Sequence, residues 1–252
     1  MTDSTIVLIT GVTRGLGKAL AEFYLARPNH TVIGTVRDPS APNARALDSL
    51  PKADGSKLHL LKLESISATD YPALTARIKD DLKITHLDIV IANSGISCPP
   101  TPVATIAPEL ALSAYDVNTV GTLRLYQATR DLLEKSTNKP KWVSMSSGAG
   151  SIEAIKIYGT QWFSMYGMSK AAMNWLTVAI HNSDEWLTAF AVHPGLVQTD
   201  MGNKGARSLG MEEAPNTIEE AITKTTAKID AATREETSGK FWNVIDGTEV
   251  PW

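Results

Sequence analysis

Tyr166 and Lys170 close the run Tyr166-Gly167-Met168-Ser169-Lys170. On a helix that spacing brings a phenol and an ammonium to one face. A second run able to do chemistry is Thr10-Gly11-Val12-Thr13-Arg14-Gly15-Leu16-Gly17. Gly11 permits a tight turn out of a strand, while Gly15 and Gly17 let backbone and a helix N-terminus approach a pyrophosphate. The free N–H groups and the dipole there hold an anion. The spacing is Gly-x-x-x-Gly-x-Gly, not the better-known Gly-x-Gly-x-x-Gly. About twenty residues beyond Gly17 stands Thr35-Val36-Arg37-Asp38, where an acid favours NAD and an arginine accommodates the 2′-phosphate of NADP. Val36 fills the strand end, Arg37 comes first in the loop, and Arg14 adds a second cation from the glycine turn. Two arginines converging from separate segments favour NADPH. Each feature has an ordinary reading as well: amphipathic helices often carry Tyr-x-x-x-Lys, and glycines and arginines serve turns and solvated surfaces.

The elements that must position these residues alternate regularly. Apolar, β-branched runs predict strands at Ile6–Thr10, Thr31–Val36, Leu58–Leu63, Leu87–Ala92, Lys141–Met145, Leu187–Val192 and Lys240–Ile245. Longer amphipathic stretches predict helices over Gly15–Ala26, Asp70–Leu82, Asn118–Lys135, Ser164–Asn182 and Thr217–Ala231. Strands without clean alternation are covered on both faces, and right-handed crossovers then put helices on both sides of the sheet. The expectation is one doubly wound α/β domain over residues 1–252, Rossmann-like, with a parallel sheet of about seven strands. Ser146-Ser147-Gly148 ends the fifth strand, and Asn118 begins a helix. Two regions break the alternation. Ser97–Pro108 carries four prolines and cannot be helix interior, and Asp200–Asn216 reads as a loop or broken helix. Both follow strand C-termini, where open α/β sheets bind ligands.

Taken together, Thr10-Gly11-x-x-x-Gly15-x-Gly17, Asn93-Ser94-Gly95, Val117-Asn118-x-x-Gly121, Ser146-Ser147, Tyr166-x-x-x-Lys170 and Pro194-Gly195-x-Val197-x-Thr199 make the sequence resemble the short-chain dehydrogenase/reductase family. These motifs stand in the family's order and span almost the whole chain. Arg14, the eighteen residues between Ser147 and Tyr166, and the run Phe241–Trp252 resemble fungal norsolorinic-acid-ketoreductase-type enzymes, which reduce polyketide or aromatic ketones with NADPH. The resemblance implies that Tyr166 is a general acid and that Lys170 stabilises the tyrosinate and holds the nicotinamide ribose. It further implies that Ser147, rather than Ser146, hydrogen-bonds the substrate oxygen, and that Asn118 holds a proton-relaying water. Cofactor contacts are implied for Gly11, Thr13, Arg14, Gly15, Leu16, Gly17, Arg37, Glu64, Asn93, Gly95, Tyr166, Lys170, Pro194, Gly195, Val197 and Thr199. Glu64 stands where the family usually has aspartate, and Ser94 replaces a usual alanine. The segment Ile155–Phe163, with Tyr158 and Trp162, reads either as an apolar wall beside the reacting carbon or as a packed surface loop. Family members pair their long helices between subunits, which implies a homodimer or homotetramer.

Composition narrows the classes. The 252 residues are 43% hydrophobic and 20% charged, which excludes wholesale disorder. Lys and Arg number 24 against 27 Asp and Glu, a net charge of −3 that leaves no basic excess for a nucleic-acid backbone. Cys98, the single cysteine, cannot form an internal disulfide and suits a reducing compartment. No apolar run reaches the ~18 residues of a membrane span, and Met1–Thr5 carries no basic or apolar signal segment. A cytoplasmic protein binding a small carbonyl substrate is expected, without nucleic acid or membrane. The five histidines show no metal-ligand spacing, and no metal is expected. His193 is read as shaping its loop. Two rivals follow from the same residues: an NADP(H)-sensing regulator without turnover, and an epimerase or dehydratase, which the absence of an added substrate domain disfavours.

Overall fold

Seven strands and their intervening helices occupy residues 4–252, which the computed structural model describes. Met1–Asp3, within the segment read above as carrying no signal, lie outside the described residues. The strands are β1 Thr5–Thr10, β2 His30–Val36, β3 Lys57–Lys62, β4 Ile89–Ala92, β5 Lys141–Met145, β6 Thr188–His193 and β7 Phe241–Asn243. They form one sheet in the order β3-β2-β1-β4-β5-β6-β7, and every pairing is parallel. Strand order reverses beside β1, so a crevice opens beyond the strand C-termini between β1 and β4.

Alternation within β1 explains why its residues are apolar throughout. Val7 and Ile9 enter one core with Leu20, Tyr24 and Leu25 of α1 (Gly15–Leu25). Ile6 and Leu8 enter the other core with Tyr71, Leu74 and Trp142. Each fully buried aliphatic side chain of this kind contributes about 1.5–3 kcal/mol, so neither face of the sheet can be left uncovered. The remaining helices are α2 Pro42–Arg45, α3 Asp70–Ala76, α4 Pro108–Tyr115, α5 Gly121–Glu134, α6 Ile155–Tyr158, α7 Ser164–Ser183, α8 Asp200–Ser208 and α9 Ile218–Ala231. Helices α1 and α9 cover the first core. Helices α3, α5 and α7 supply Leu74, Leu125, Leu133 and Ile180 to the second.

The structure corrects several element boundaries, among them β4, which starts at Ile89 rather than Leu87. The helix expected to begin at Asn118 begins ten residues earlier, at Pro108, which occupies the first helical turn where a missing N–H costs nothing. A π-helical turn, Asp116–Val120, joins α4 to α5 and contains Asn118. The last strand stops at Asn243 rather than Ile245. The Asn243 side-chain oxygen accepts from the Ile245 N–H at 3.0 Å, and its carbonyl accepts from the Gly247 N–H at 2.9 Å, which closes a turn. The helix expected over Asp70–Leu82 is α3 followed by a π-turn at Arg77–Asp81. The proline-rich segment is non-helical up to Pro108, as its composition requires. It is tied to the segment before α7, where Thr101 N donates to the Trp162 carbonyl at 2.7 Å and Ser164 Oγ donates to the Thr101 carbonyl at 2.7 Å.

Candidate active site

Helix α7 carries Tyr166 and Lys170 on the face turned toward the end of β5. Lys170 is buried, 3% exposed, and its Nζ donates to the Met145 carbonyl at 2.7 Å. It also lies 5.7 Å from the centre of the Tyr166 ring. Burial lowers the Lys170 ammonium to about 8. Burial also pushes the Tyr166 phenol up to about 12, against the opposing pull of its hydrogen-bonding partner Ser147. Desolvation thus weighs on both charged forms, and the phenol is the protonated partner at neutral pH.

The Ser146–Ser147 pair is divided by strand geometry, because neighbouring side chains point to opposite faces. Ser146 Oγ turns inward and donates to Asn174 Oδ1 at 2.5 Å. Ser147 turns toward Tyr166 and caps the short 3-10 turn Gly148–Gly150, accepting from the Ala149 N–H at 3.2 Å. Gly150 packs so closely on Lys170 that a Cβ there would collide with its backbone and side chain.

Asn118 is fully buried and acts as a staple. Its Oδ1 accepts from the Ile96 N–H at 2.8 Å, while Nδ2 donates to the Ile96 carbonyl and to Ser169 Oγ, both at 2.9 Å. Gly95 is thereby held beside Asn118 and Lys170: a Cβ on it would stand 3.1 Å from Asn118 Oδ1 and 3.6 Å from Lys170 Nζ. Asn93 performs a similar task at the top of β1, donating to the Thr10 carbonyl at 2.8 Å.

The glycine turn lies across the crevice. Gly11 (φ +73) and Gly15 (φ +56) take left-handed backbone conformations, and a side chain on Gly17 would strike the Gly11 carbonyl. The backbone N–H groups of Gly15, Leu16 and Gly17 stand at the start of α1, where no preceding turn can satisfy them. Thr13 lies in the turn itself, and Leu16 packs against the first core. The Pro194–Thr199 loop closes on this turn. Val197 is buried, and Thr199 caps α8 by accepting from the Gly202 N–H at 3.0 Å. Thr199 also stands within van der Waals reach of Gly15. Gly195 (φ +87) makes the bend after Pro194. Arg14 and Asp200 form an exposed ion pair at 3.4 Å. Arg37 and Glu64 are exposed at the mouths of β2 and β3.

A short chain dehydrogenase family model matches residues 5–209. The chain belongs to the short-chain dehydrogenase family. A family member of Neurospora crassa, described as a short-chain dehydrogenase, is 45% identical over 100% of this chain and 99% of its own. Norsolorinic acid ketoreductase of Aspergillus parasiticus is 36% identical, covering 99% of this chain and 92% of its own. Among solved structures, the NADPH-bound carbonyl reductase from chicken fatty liver shares 28% identity with a TM-score of 0.86, over 99% of this chain and 100% of that one. For a short-chain dehydrogenase, the motif residues Tyr166, Lys170, Ser147 and Asn118 meet at one point of the fold, while Arg37 and Glu64 stay at its edge.

Several neighbours of the site carry no motif. His193 and Tyr158 pack edge to face with ring centres 5.4 Å apart, and both rings abut Gly148. Burial depresses His193 to about 4. Asn174 and the Met145 carbonyl, which orient Ser146 and Lys170, are likewise ordinary residue types whose role comes only from packing. Among the described residues no group of three or more His, Cys, Asp or Glu could hold a metal. No described helix is long and apolar enough to cross a membrane.

Proposed function

We propose that this short-chain dehydrogenase is an NADPH-dependent ketoreductase acting on a hydrophobic, polyketide-like or aromatic carbonyl compound. The observation that carries the reading is the meeting of Tyr166, Ser147 and Lys170 at the end of β5, across the crevice from the glycine turn. The chemistry of the donor set fits a phosphorylated dinucleotide, with unsatisfied N–H groups at the start of α1 for a pyrophosphate and the cations Arg14 and Arg37 for a 2′-phosphate. The names of the relatives, norsolorinic acid ketoreductase and NADPH-bound carbonyl reductase, support the same assignment.

Bound NADPH supplies the hydride to the carbonyl carbon. Tyr166 donates its phenolic proton to the carbonyl oxygen, and the burial that keeps it protonated makes it an acid rather than a base at neutral pH. Lys170, still cationic at that pH, offsets the charge of the tyrosinate left behind and holds the ribose. Ser147 donates to the same substrate oxygen and stabilises the developing alkoxide. Asn118 fixes the Gly95–Ile96 backbone beside Lys170 and holds the water through which Lys170 and Tyr166 are reprotonated. Gly11, Thr13, Gly15, Leu16, Gly17, Asn93, Gly95, Pro194, Gly195, Val197 and Thr199 line the dinucleotide, and Glu64 lies toward its adenine. Exposed Val103, Ile157 and Trp162 on the two segments tied together near Ser147, with Ile152 beside them in the chain, support an apolar substrate.

The test is an NADPH-oxidation assay over aromatic, polyketide-like and simple carbonyl compounds. Tyr166→Phe is expected to lower kcat by at least ~100-fold while fluorescence titration shows NADPH affinity nearly intact; retained turnover refutes the role. The reading extends to self-association through α5 and α7, with Met168 and Trp175 exposed on the outer face of α7. Sedimentation as a dimer or tetramer is expected, and a monodisperse monomer would remove that part.

A further inference from the structure

Ser147 sits at the head of a glycine-rich turn whose own bonds are few: Gly150 N–H to the Ser147 carbonyl at 2.8 Å, Ser151 N–H to the Gly148 carbonyl at 3.1 Å, and Ala149 N–H to Ser147 Oγ at 3.2 Å. Gly148 and Gly150 flank Ala149 in the 3-10 turn, and glycines give a chain its greatest conformational freedom. Contacts from outside the turn add to its own bonds in fixing where the turn, and with it the Ser147 hydroxyl, is seated. On the inner side these are the packing of Gly150 on Lys170 and the Asn174 Nδ2 donation to the Gly150 carbonyl at 3.3 Å.

On the outer side the turn is held by residues a hundred positions away. Ser151, which follows the turn and is 1% exposed, donates its hydroxyl to the Pro251 carbonyl at 2.6 Å and accepts from the Ala154 N–H at 3.0 Å. The Glu153 N–H donates to the Trp252 carbonyl at 3.1 Å. The Trp252 ring stacks on Phe241, with centres 5.6 Å apart and planes at 20°. Phe241 is fully buried with Ala191 and Val250, and Tyr158 packs on that same cluster. Tyr158 in turn lies against Gly148. The segment Val250–Trp252 thus anchors in the end of the sheet and presses the Ser147 turn, from Gly148 to Ala154, against α7.

We propose that Val250–Trp252 is a brace for the substrate-oxygen donor, with Trp252 as its positioning residue. The brace acts on the carbonyl side of the site and leaves the glycine turn untouched. Its catalytic consequence rests on the reading of Ser147 given above, whereas its mechanical part does not. Trp252→Ala removes the stack that seats the segment, and Ser151→Ala removes the bond to Pro251 independently of the tryptophan. Trp252→Phe restores an aromatic surface on Phe241.

Hydrogen exchange in the wild type and these variants tests the mechanical part. Trp252→Ala and Ser151→Ala are expected to speed exchange of the amides from Ala149 to Glu153 and leave those of residues 11–17 unchanged, while Trp252→Phe keeps exchange near the wild-type rate. Steady-state kinetics test the consequence. The ketone kcat/KM is expected to fall about 10-fold, within the range that a small misplacement of a catalytic group costs, with the KM for NADPH unchanged. Unaltered exchange at Ala149–Glu153 overturns the brace, whatever the wild type turns over. Equal loosening at residues 11–17, with a parallel loss of NADPH affinity, also overturns it, since that is general destabilisation. A wild type that reduces no carbonyl compound overturns the functional reading and the catalytic consequence together, while the exchange data still decide the brace.

Discussion

Arg37 and Asp38 are neighbours at the end of β2, yet they face different demands. The Asp38 carboxylate is drawn into its own turn, accepting from the Ser40 N–H at 2.8 Å and the Ser40 hydroxyl at 2.6 Å. Those bonds hold it below the usual carboxylate range. Both bonds fall on Oδ1 and turn the carboxylate toward its own loop, whereas Arg37 forms no ion pair among the described residues. Arg14 is less free, since it meets Asp200, but at 76% exposure on both side chains that pair is weak and readily exchanged for a phosphate. Arg37→Ala is therefore expected to weaken NADPH binding by about 10-fold or more, the loss of one charge-assisted hydrogen bond being worth about 1.5–3 kcal/mol. NADH binding should be unaffected. Titrations in which both nucleotides weaken alike would show that Arg37 does not read the 2′-phosphate.

Among the elements, the best-defined piece of the site is one that no residue type encodes. Nothing in Asp116-Val117-Asn118-Thr119-Val120 demands a π-turn, and proximity to the proline-rich segment makes Asn118 look like a helix start. The wide turn goes with tertiary bonds: Asn118 clamps Ile96, and Thr119 Oγ1 donates to the Ser169 carbonyl at 2.8 Å. Such turns mark functional positions in many helices. The signal that could have corrected the boundary was Pro108 followed by Glu109, a proline and an acid suited to a first helical turn. The central strands were legible because a parallel sheet covered on both faces demands unbroken Val, Ile and Leu. Strand β7 was overread because Val244 and Ile245 extend its apolar run past the point where Asn243 turns the chain. Tyr166, Lys170 and the glycine turn stand out as candidates because the chemistry read from them fixes both type and spacing. Tyr158 and His193 were legible only as part of a wall or loop, and Asn174 and Trp252 not at all, since their contacts with the turn come from packing between distant segments.

For the molecule as a whole, buried imidazoles tie stability to pH. Burial depresses His193 to about 4. His181 is also lowered, by burial and by Arg234, whose Nη1 lies 2.6 Å from its Nδ1. His59 is lowered by burial and by Lys57. In the unfolded chain each titrates near 6.5. Below that pH the unfolded state binds more protons than the folded one, so the unfolding free energy falls as pH drops, by about 1.4 kcal/mol per unit for His193 while it stays neutral and by less for the more exposed His181 and His59. The His193 contribution is complete above pH 6.5 and runs out near pH 4, where the folded ring protonates as well. The midpoint of thermal unfolding should therefore decline steadily from pH 6.5 toward 4, and high salt should restore little of it, because burial rather than surface charge sets the His193 shift. His193→Phe isolates the cause. The Nδ1 of His193 has no hydrogen-bonding partner among the described residues, and a phenyl ring keeps the edge-to-face packing on Tyr158. That variant should match the wild type above pH 7 and lose stability less steeply on acidification, His181, His59 and the depressed carboxylates Asp70 and Asp246 supplying the remaining slope. Parallel pH profiles for the two proteins would mean that His193 is not a buried neutral imidazole, and that acid sensitivity arises elsewhere in the fold.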